Sequence, residues 1–352
     1  MAAAAPSLGE IRRSSRGRKE RMVNRDTLSE PVARTQRKIL LAAGPNVRER
    51  STLPRVITPA NVQIVIPVHN RRETTRICLL RLAELGVPDW AGVIVVDDGS
   101  TDGTAEMILR DHPWVHLLPA DGTLWWTGAI RLGMETAIQH GAECILWLND
   151  DTLPDPHTLE RLVEHSQRTG GVCGAVCRGD DGRPIAYAGG WLPRNWPQPL
   201  AHLGGTAPLP VHWLHGNLVA IPAAVWQRCG LPDAAHMPHN LADISYTYDA
   251  HRSGIPVDLL PSATALAKVN ESASYWSWLD PRLSRADLLR GLWSVKMWWY
   301  APGVVRFQLH HFGWRGLPPL GFLFFKLSVL MVARGWFPAR AWHGLKSTFG
   351  RR

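Results

Sequence analysis

The first half of this sequence predicts an α/β fold with a mostly parallel central sheet flanked by helices. Two observations carry that expectation. Short runs rich in Val, Ile and Leu alternate with longer segments whose apolar residues recur at helical spacing. Two of the runs, VIVVDDGSTDGT (93–104) and CILWLNDDTLPD (144–155), stop in paired aspartates. Such alternation specifies strands joined by crossover helices, hence parallel strands covered on both faces.

Taken in order, NVQIVIPVHN (61–70) reads as a buried strand ending at Pro67 and a polar turn, and RETTRICLLRLAELG (72–86) as a helix stopped by Gly86. VIVVDD is the next strand, and Asp102 opens a helix running through Met107 and Leu109. GAIRLGMETAIQHG (128–141) sets Ile130, Met134, Ala137 and Ile138 on one face and ends at Gly141. CILWL is a strand, and Asp155-Pro156 suits the N-cap and first position of a helix over 156–168. Past residue 170 Gly and Pro become frequent and the elements short. HGNLVAIPAAVWQRCGLPD (215–233) reads as a strand and then a helix from Pro222 to Gly230. LADISYTYDAHRSG (241–254) is a helix closed by Gly254, and IPVDLLPSATALAKV (255–269) is one or two strands.

A carboxylate ending a core strand is costly unless it has a partner. Two such strands imply one shared polar rim at the carboxyl ends of the sheet, where open α/β sheets bind ligands. Carboxylates there suit a hydrogen-bond donor or a hard cation, and a nucleotide diphosphate carried on a metal needs both.

At 352 residues the chain has room for one large domain and appendages. Its formal charge of +9 suits nucleic acid, an anionic membrane surface or an anionic substrate. It carries no RNA-binding aromatic signature, zinc finger or long Lys/Arg helix, so nucleic acid is not the expected partner. The five cysteines, an odd number lying mostly in apolar runs, read as reduced thiols of a cytosolic core. Cys173 and Cys177 read as strand residues, with no second pair at zinc spacing. Residues 1–57 read as a disordered basic leader, with Met22 an alternative start; its apolar patch, Ile39 to Ala43, is too short for a signal sequence. From Arg282 onward about a dozen Lys/Arg face very few acids, with Trp298-Trp299, Trp314 and Trp336 among them. LPPLGFLFFKLSVLMVA (317–333) is near the lower length for a spanning helix and is interrupted by Lys326. Basic residues and Trp around an apolar stretch suit a membrane interface, and the alternative is a terminal helix packed on the domain.

PVHN, VVDDGSTDGT, LNDD and ADISYTYDAHRSG, in that order, resemble glycosyltransferase family 2, the inverting enzymes of GT-A fold, over roughly residues 60–270. LWWTGAIRLGMETA, ILWLNDDTLPDP and HGNLVAIP resemble its bacterial rhamnosyltransferase-like subgroup. The resemblance implies a GT-A domain over 58–275, with a nucleotide-sugar half (58–170) and an acceptor half (171–275), followed by a basic, Trp-rich helical extension (276–352). It implies that Pro67, His69, Asn70 and Asp98 line a nucleoside pocket, with Asp98 accepting from the base and Asp97 capping a turn. Asp151 takes the metal-ligand position for Mg²⁺ or Mn²⁺ on the diphosphate, with Asp150 facing the donor sugar or ribose. A helix beginning near Gly128 turns its N–H groups toward phosphate, while the pair Trp125 and Trp126 stacks on a sugar or packs in the core. His215 and Asn217 match an acceptor-side segment, and Asp243 matches the catalytic base. His236 and His239 read as surface-loop residues rather than metal ligands.

The sequence departs from the family pattern in three places. Ala242 and Ser245 stand where flanking acids are common, and 267–271 holds no metal-binding His, leaving Lys268, Asn270 or Glu271 in that region. The implied activity is transfer of a hexose or deoxyhexose from a nucleotide diphosphate sugar to a hydroxyl of a glycan, lipid-linked or surface-polysaccharide acceptor, at the cytoplasmic face of the cell membrane. A sugar-nucleotide-binding pseudoenzyme is the alternative of a different class. A nucleotidyltransferase is the alternative enzyme, although PVHNRRET lacks the glycines of its phosphate loop.

Overall fold

The computed structural model describes residues 61–179, 189–192, 198–199, 205–267 and 283–336. The leader and Lys268, Asn270 and Glu271 lie outside the described residues.

β1 (Val62–Val68), α1 (Arg72–Glu84), β2 (Gly92–Asp97), α2 (Thr104–Asp111), β3 (Val115–Pro119), α3 (Trp125–Gln139) and β4 (Cys144–Leu148) form the first half. Its strands pair in parallel in the order β3-β2-β1-β4, because each helix carries the chain back across the sheet. Successive side chains point to opposite faces. Ile64 and Ile66 therefore pack on Cys78, Leu79 and Leu82 of α1, while Val65 packs on Ile130 and Met134 of α3. With both faces covered, β4 is buried at every position, and this is why it reads as an unbroken apolar run.

The second half holds β5 (Thr152–Pro154), α4 (Thr158–Thr169), β6 (Val172–Arg178), the short strands β7 (Gly189–Trp191), β8 (Gln198–Pro199), β9 (Leu209–Pro210) and β10 (Trp213–Leu214), then β11 (Leu218–Pro222), α5 (Ala223–Cys229), α6 (Ala242–Arg252) and β12 (Val257–Ala267). β11 enters the main sheet between β4 and β6, antiparallel to both. β12 runs parallel to β6 as one strand with a register shift between Leu260 and Thr264. The sheet is thus parallel through the first half and mixed beyond β4. The cysteines are free, and Cys173 and Cys177 are buried in β6 as expected.

Two helix starts differ from the sequence expectation. α3 begins at Trp125, not near Gly128. α4 begins at Thr158 because His157 is left-handed (φ 64°) and the Asp155 carboxylate does not cap it. That carboxylate instead accepts from Arg178 and Thr264, tying the entry of α4 to β6 and β12.

α7 (Arg285–Gly291), opened by a Ser284–Asp287 capping box, α8 (Ala301–Phe312) and α9 (Leu317–Trp336) make the C-terminal extension. α8 buries Phe307 among Trp213, Met237 and Ile244, and the Oγ of Ser245 on α6 lies 2.8 Å from Nε2 of His311. Arg252 donates to the His311 carbonyl at 2.9 Å. Burial beside His310, Arg252 and Arg306 pushes the His311 imidazole down to about 3, so it is neutral. α9 buries Leu320, Leu323 and Leu327 and leaves Phe322, Phe325, Val329, Val332 and Trp336 exposed, a second apolar stripe at helical spacing. By length and composition the stretch 301–336 is apolar enough to cross a membrane. Gly313 (φ 56°) divides it, and α8 is packed on the domain.

Candidate active site

The site lies where β1, β2 and β4 end, as the acid-terminated runs imply. After β1, the His69 Nδ1–H donates to the Asp98 carbonyl, and Asn70 Oδ1 accepts from Thr101 N at 2.7 Å. These bonds fix the first loop to the one following β2. Pro67 itself lies within β1, opposite Val96. Gly99 and Gly122 are both left-handed (φ 71° and 89°), and only a residue without a Cβ lets these two loops approach so closely.

Asp97 and Asp98 are both buried, and both serve backbone N–H groups. Asp97 accepts from Ser100 N at 3.0 Å, the turn role expected of it. Asp98 accepts from Gly122, Leu124 and Trp125 N at 2.9, 3.1 and 2.8 Å. Three of the roughly four acceptor positions on this carboxylate are taken by the approach to α3. The start of α3 bears on the expected phosphate contact: Trp125 N is engaged by Asp98, Thr127 N donates to the Pro238 carbonyl at 2.9 Å, and Gly128 N bonds the Leu124 carbonyl. Gly128 is buried against Leu124.

The tryptophan pair divides its roles. Trp126 is structural: its Nε1–H donates to Asn149 Oδ1 at 2.8 Å and its ring meets Trp147 edge-on at 5.6 Å. Trp125 is the ring presented to solvent, 37% exposed, with Lys296 5.6 Å above it and His239 6.0 Å away. Burial pushes the His239 imidazole down, with Asp243 opposing and Lys296 assisting. His236 is an exposed loop residue paired with Asp233 at 2.9 Å.

Beyond β4, Asp150 and Asp151 share one guanidinium. Arg71 Nη1 lies 3.0 Å from Asp150 and Nη2 2.9 Å from Asp151. Thr75 Oγ1 donates to Asp150 at 3.0 Å. Burial nonetheless pushes the Asp150 carboxyl up to about 6, with Arg71 opposing and Asp151 assisting.

Asp243, in the first turn of α6, is brought to this rim by β11. Asn149 Nδ2 donates to Asn217 Oδ1 at 2.9 Å, and Asn149 N donates to the Asn217 carbonyl at 2.9 Å. Gly216 packs between Trp126 and Asp243, with no space for a Cβ beside the indole. Asp243 Oδ2 accepts from Gly216 N at 2.9 Å and from His215 Nδ1–H at 3.0 Å, and Oδ1 accepts from Ile244 N at 2.8 Å. Burial alone would raise the Asp243 carboxyl. The neighbouring His215 and these three hydrogen bonds outweigh it and hold the group below the usual range. Sequence reasoning named His215 and Asp243 separately; their contact, the placement of Arg71 and Lys296, and which of the two tryptophans is exposed came only with the fold. Ser245, absent from the family pattern as an acid, is engaged by His311 instead.

Three of the four left-handed non-glycine residues among those described, Asn70 (φ 52°), Trp125 (φ 56°) and Leu241 (φ 69°), border this site, each just before or at the start of a helix. For Trp and Leu this is strained backbone of the kind held at functional sites.

Residues 63–209 match the family model described as Glycosyl transferase family 2. The undecaprenyl-phosphate 4-deoxy-4-formamido-L-arabinose transferase of Pectobacterium carotovorum is 30% identical over 124 residues, 33% of this chain and 36% of that protein. The polyprenol monophosphomannose synthase of Mycolicibacterium smegmatis is 27% identical over 163 residues, 44% of this chain and 56% of that protein. The chain thus spans about a third to a half of the length of these curated relatives. Among solved structures, a mannosyltransferase from Pyrobaculum calidifontis in complex with GDP-Man and Mn²⁺ aligns over 92% of this chain and 88% of that one, at 18% identity and a TM-score of 0.47.

The raised Asp150 carboxyl has a consequence for stability. Its ordinary value is 3.8 and its folded value about 6, so the fold disfavours the ionised form. The stability it contributes is fully present below the ordinary value and is lost as pH rises toward 6. Asp150→Asn can keep its oxygen on Arg71 and donate to Thr75, and it should gain about 1–3 kcal/mol over the parent at pH 7. That gain should vanish near pH 4 in urea denaturation; an equal gain at both pH values would show that ionisation is not its cause.

Proposed function

We propose that this chain, whose residues 63–209 match the glycosyl transferase family 2 model, is an inverting glycosyltransferase with Asp243 as its base. The observation that carries the reading is the Asp243 carboxylate, ionised and aimed by His215 and Gly216, at the same rim as the paired acids after β4. The donor is a nucleotide diphosphate sugar, bound with its diphosphate toward Asp150 and Asp151. The nucleoside lies along Pro67, His69 and Asn70, and Asp98 fixes the wall opposite. The LWWTGAIRLGMETA and HGNLVAIP segments favour a deoxyhexose donor of the rhamnosyl type.

A divalent cation fits this site. Two carboxylates converge on one guanidinium, so the pair already requires positive charge, and Arg71 is partly exposed and free to yield the position. Asp151, with Asp150 beside it, would hold Mg²⁺ or Mn²⁺, which would offset charge developing on the leaving diphosphate.

The protein's own groups do the rest. The acceptor hydroxyl attacks the anomeric carbon from the face opposite the diphosphate, and Asp243 takes its proton. A carboxylate held below its usual range is a weak base toward a free alcohol. It suffices here because the hydroxyl becomes acidic only as its oxygen bonds to carbon. His215 donates through Nδ1 and so fixes which Asp243 lone pairs face the acceptor. Trp125 offers an apolar face to a sugar ring, and Lys296 beside it suits an anionic group on donor or acceptor.

The acceptor is a lipid-linked or surface glycan met at the cytoplasmic face of the membrane. The exposed stripe of α9, with Lys326, Arg315 and Trp314 around it, suits a helix lying in the interface rather than spanning it, since its other face is packed on α7 and α8.

Asp243→Asn should lower kcat by roughly 10²–10⁴-fold with donor binding by calorimetry unchanged. A variant that retains full turnover removes Asp243 from the mechanism. His215→Ala should move the acid limb of the kcat profile to higher pH, because burial then dominates the Asp243 carboxyl; an unmoved limb argues against positioning by His215. The full chain should sediment with anionic phospholipid vesicles, and a Phe322→Ser/Phe325→Ser double variant should remain in the supernatant. Equal sedimentation of the two would exclude α9 as the contact.

A further inference from the structure

We propose that Asp249, His310 and His311 bind a transition-metal dication, zinc in the first instance, that clamps the helix carrying Asp243 to the C-terminal extension. The site is separate from the acids after β4 and does not depend on the glycosyltransferase reading. Asp249 lies six residues beyond Asp243 on α6, about 9 Å along the helix axis. His310 and His311 end α8.

The spacing suits a small tetrahedral ion. His310 Nε2 lies 3.1 Å from each Asp249 carboxylate oxygen, His311 Nδ1 lies 3.5 Å from Oδ1, and all three ligand atoms fall within 4.8 Å of one another. Zinc bonds of about 2.0–2.1 Å place tetrahedral neighbours about 3.3 Å apart. Two imidazoles and one carboxylate favour zinc, cobalt or nickel over the all-oxygen preferences of Mg²⁺ and Mn²⁺.

The second observation is the state of His311. The side chain is fully buried, yet its Nδ1 has no hydrogen-bond partner. The other ring nitrogen, Nε2, is held by Ser245 Oγ at 2.8 Å. In the tautomer that donates from Nε2 to Ser245 Oγ, the Nδ1 lone pair faces Asp249 Oδ1 3.5 Å away, and in the other tautomer that separation is too long for a good hydrogen bond, so Nδ1 is unsatisfied in both. An orphaned buried acceptor is costly, and a cation between the two satisfies both. A metal-bound histidine held through its second nitrogen is the usual supporting arrangement. Arg252 and Arg306 attract the carboxylate at longer range, but their hydrogen bonds go elsewhere. Arg252 donates to the His311 carbonyl, Arg306 pairs with Asp233, and His212 and His251 stack on each other at 4.5 Å. Asp249 and His310 are partly exposed, so the ion has a path from solvent.

The test is a Co²⁺ titration of the metal-stripped full chain, followed by visible absorption, with Zn²⁺ as competitor and no turnover measured. The expected result is a single equivalent of Co²⁺ giving four- or five-coordinate bands that Zn²⁺ abolishes. These should be unchanged in Asp151→Ala and weakened at least about tenfold in affinity in His310→Ala. His310 is exposed, so its removal leaves the fold intact; Asp249→Asn provides a second variant with the same expectation. Zinc should also slow amide exchange in α8 of the parent and not of His310→Ala. Bands that persist in His310→Ala, that require Asp151, or that never form would overturn the site. None of these outcomes bears on the role of Asp243.

Discussion

The site depends on one reversed strand. β11 runs antiparallel to β4 with Leu218 opposite Leu148, so the residues just before Leu218 must lie against those just after Leu148. That register sets Asn217 on Asn149 and leaves Gly216 and His215 facing Asp243. A slip of one residue would turn every β11 side chain to the opposite face. All five β11 positions are buried, so a slip would set side chains of different size into close-packed neighbours on both faces. A core-packing constraint thereby fixes the separation between the acids of the first half and the carboxylate of the second.

Each buried carboxylate at the rim is neutralised in a different way. Asp98 accepts from three backbone N–H groups, Asp150 and Asp151 share a guanidinium, and Asp243 combines an imidazole with two N–H groups. The difference matters to their protonation. Well-directed hydrogen bonds overcome desolvation at Asp243, whereas a guanidinium divided between two acids does not overcome it at Asp150. Two aspartates near one rim are thus held on opposite sides of the ordinary carboxylate value by geometry alone.

Much of this was legible in the sequence. The acid-terminated runs located the rim, because a core strand ending in charge must end at a surface. Helical periodicity located α1 and α6 to within a residue or two. What was not legible was the traffic between distant segments. Nothing local to VVDDGS says that Asp98 will be claimed by residues 122–125, so a carboxylate expected to meet a nucleoside proves largely occupied by backbone. The start of α3 was misplaced because Trp125 carries a conformation that propensity disfavours. The His215–Asp243 contact spans 28 positions and exists only through the direction of β11. Ser245 looked like a missing acid; its partner, His311, lies in a segment that the family resemblance does not reach.

The left-handed residues around the rim carry a further implication for how this protein tolerates change. At Leu241 a side chain occupies backbone that glycine adopts freely, at a strain of about 1–3 kcal/mol. Glycine there would relieve the strain but would free the turn that aims Asp243. Resistance to heat and the aim of Asp243 therefore pull in opposite directions at this position, and at Trp125 strain and the placement of α3 do the same. Hardier variants of this chain are best sought in the sheet and the outer helices, away from the three helix starts that converge on the rim.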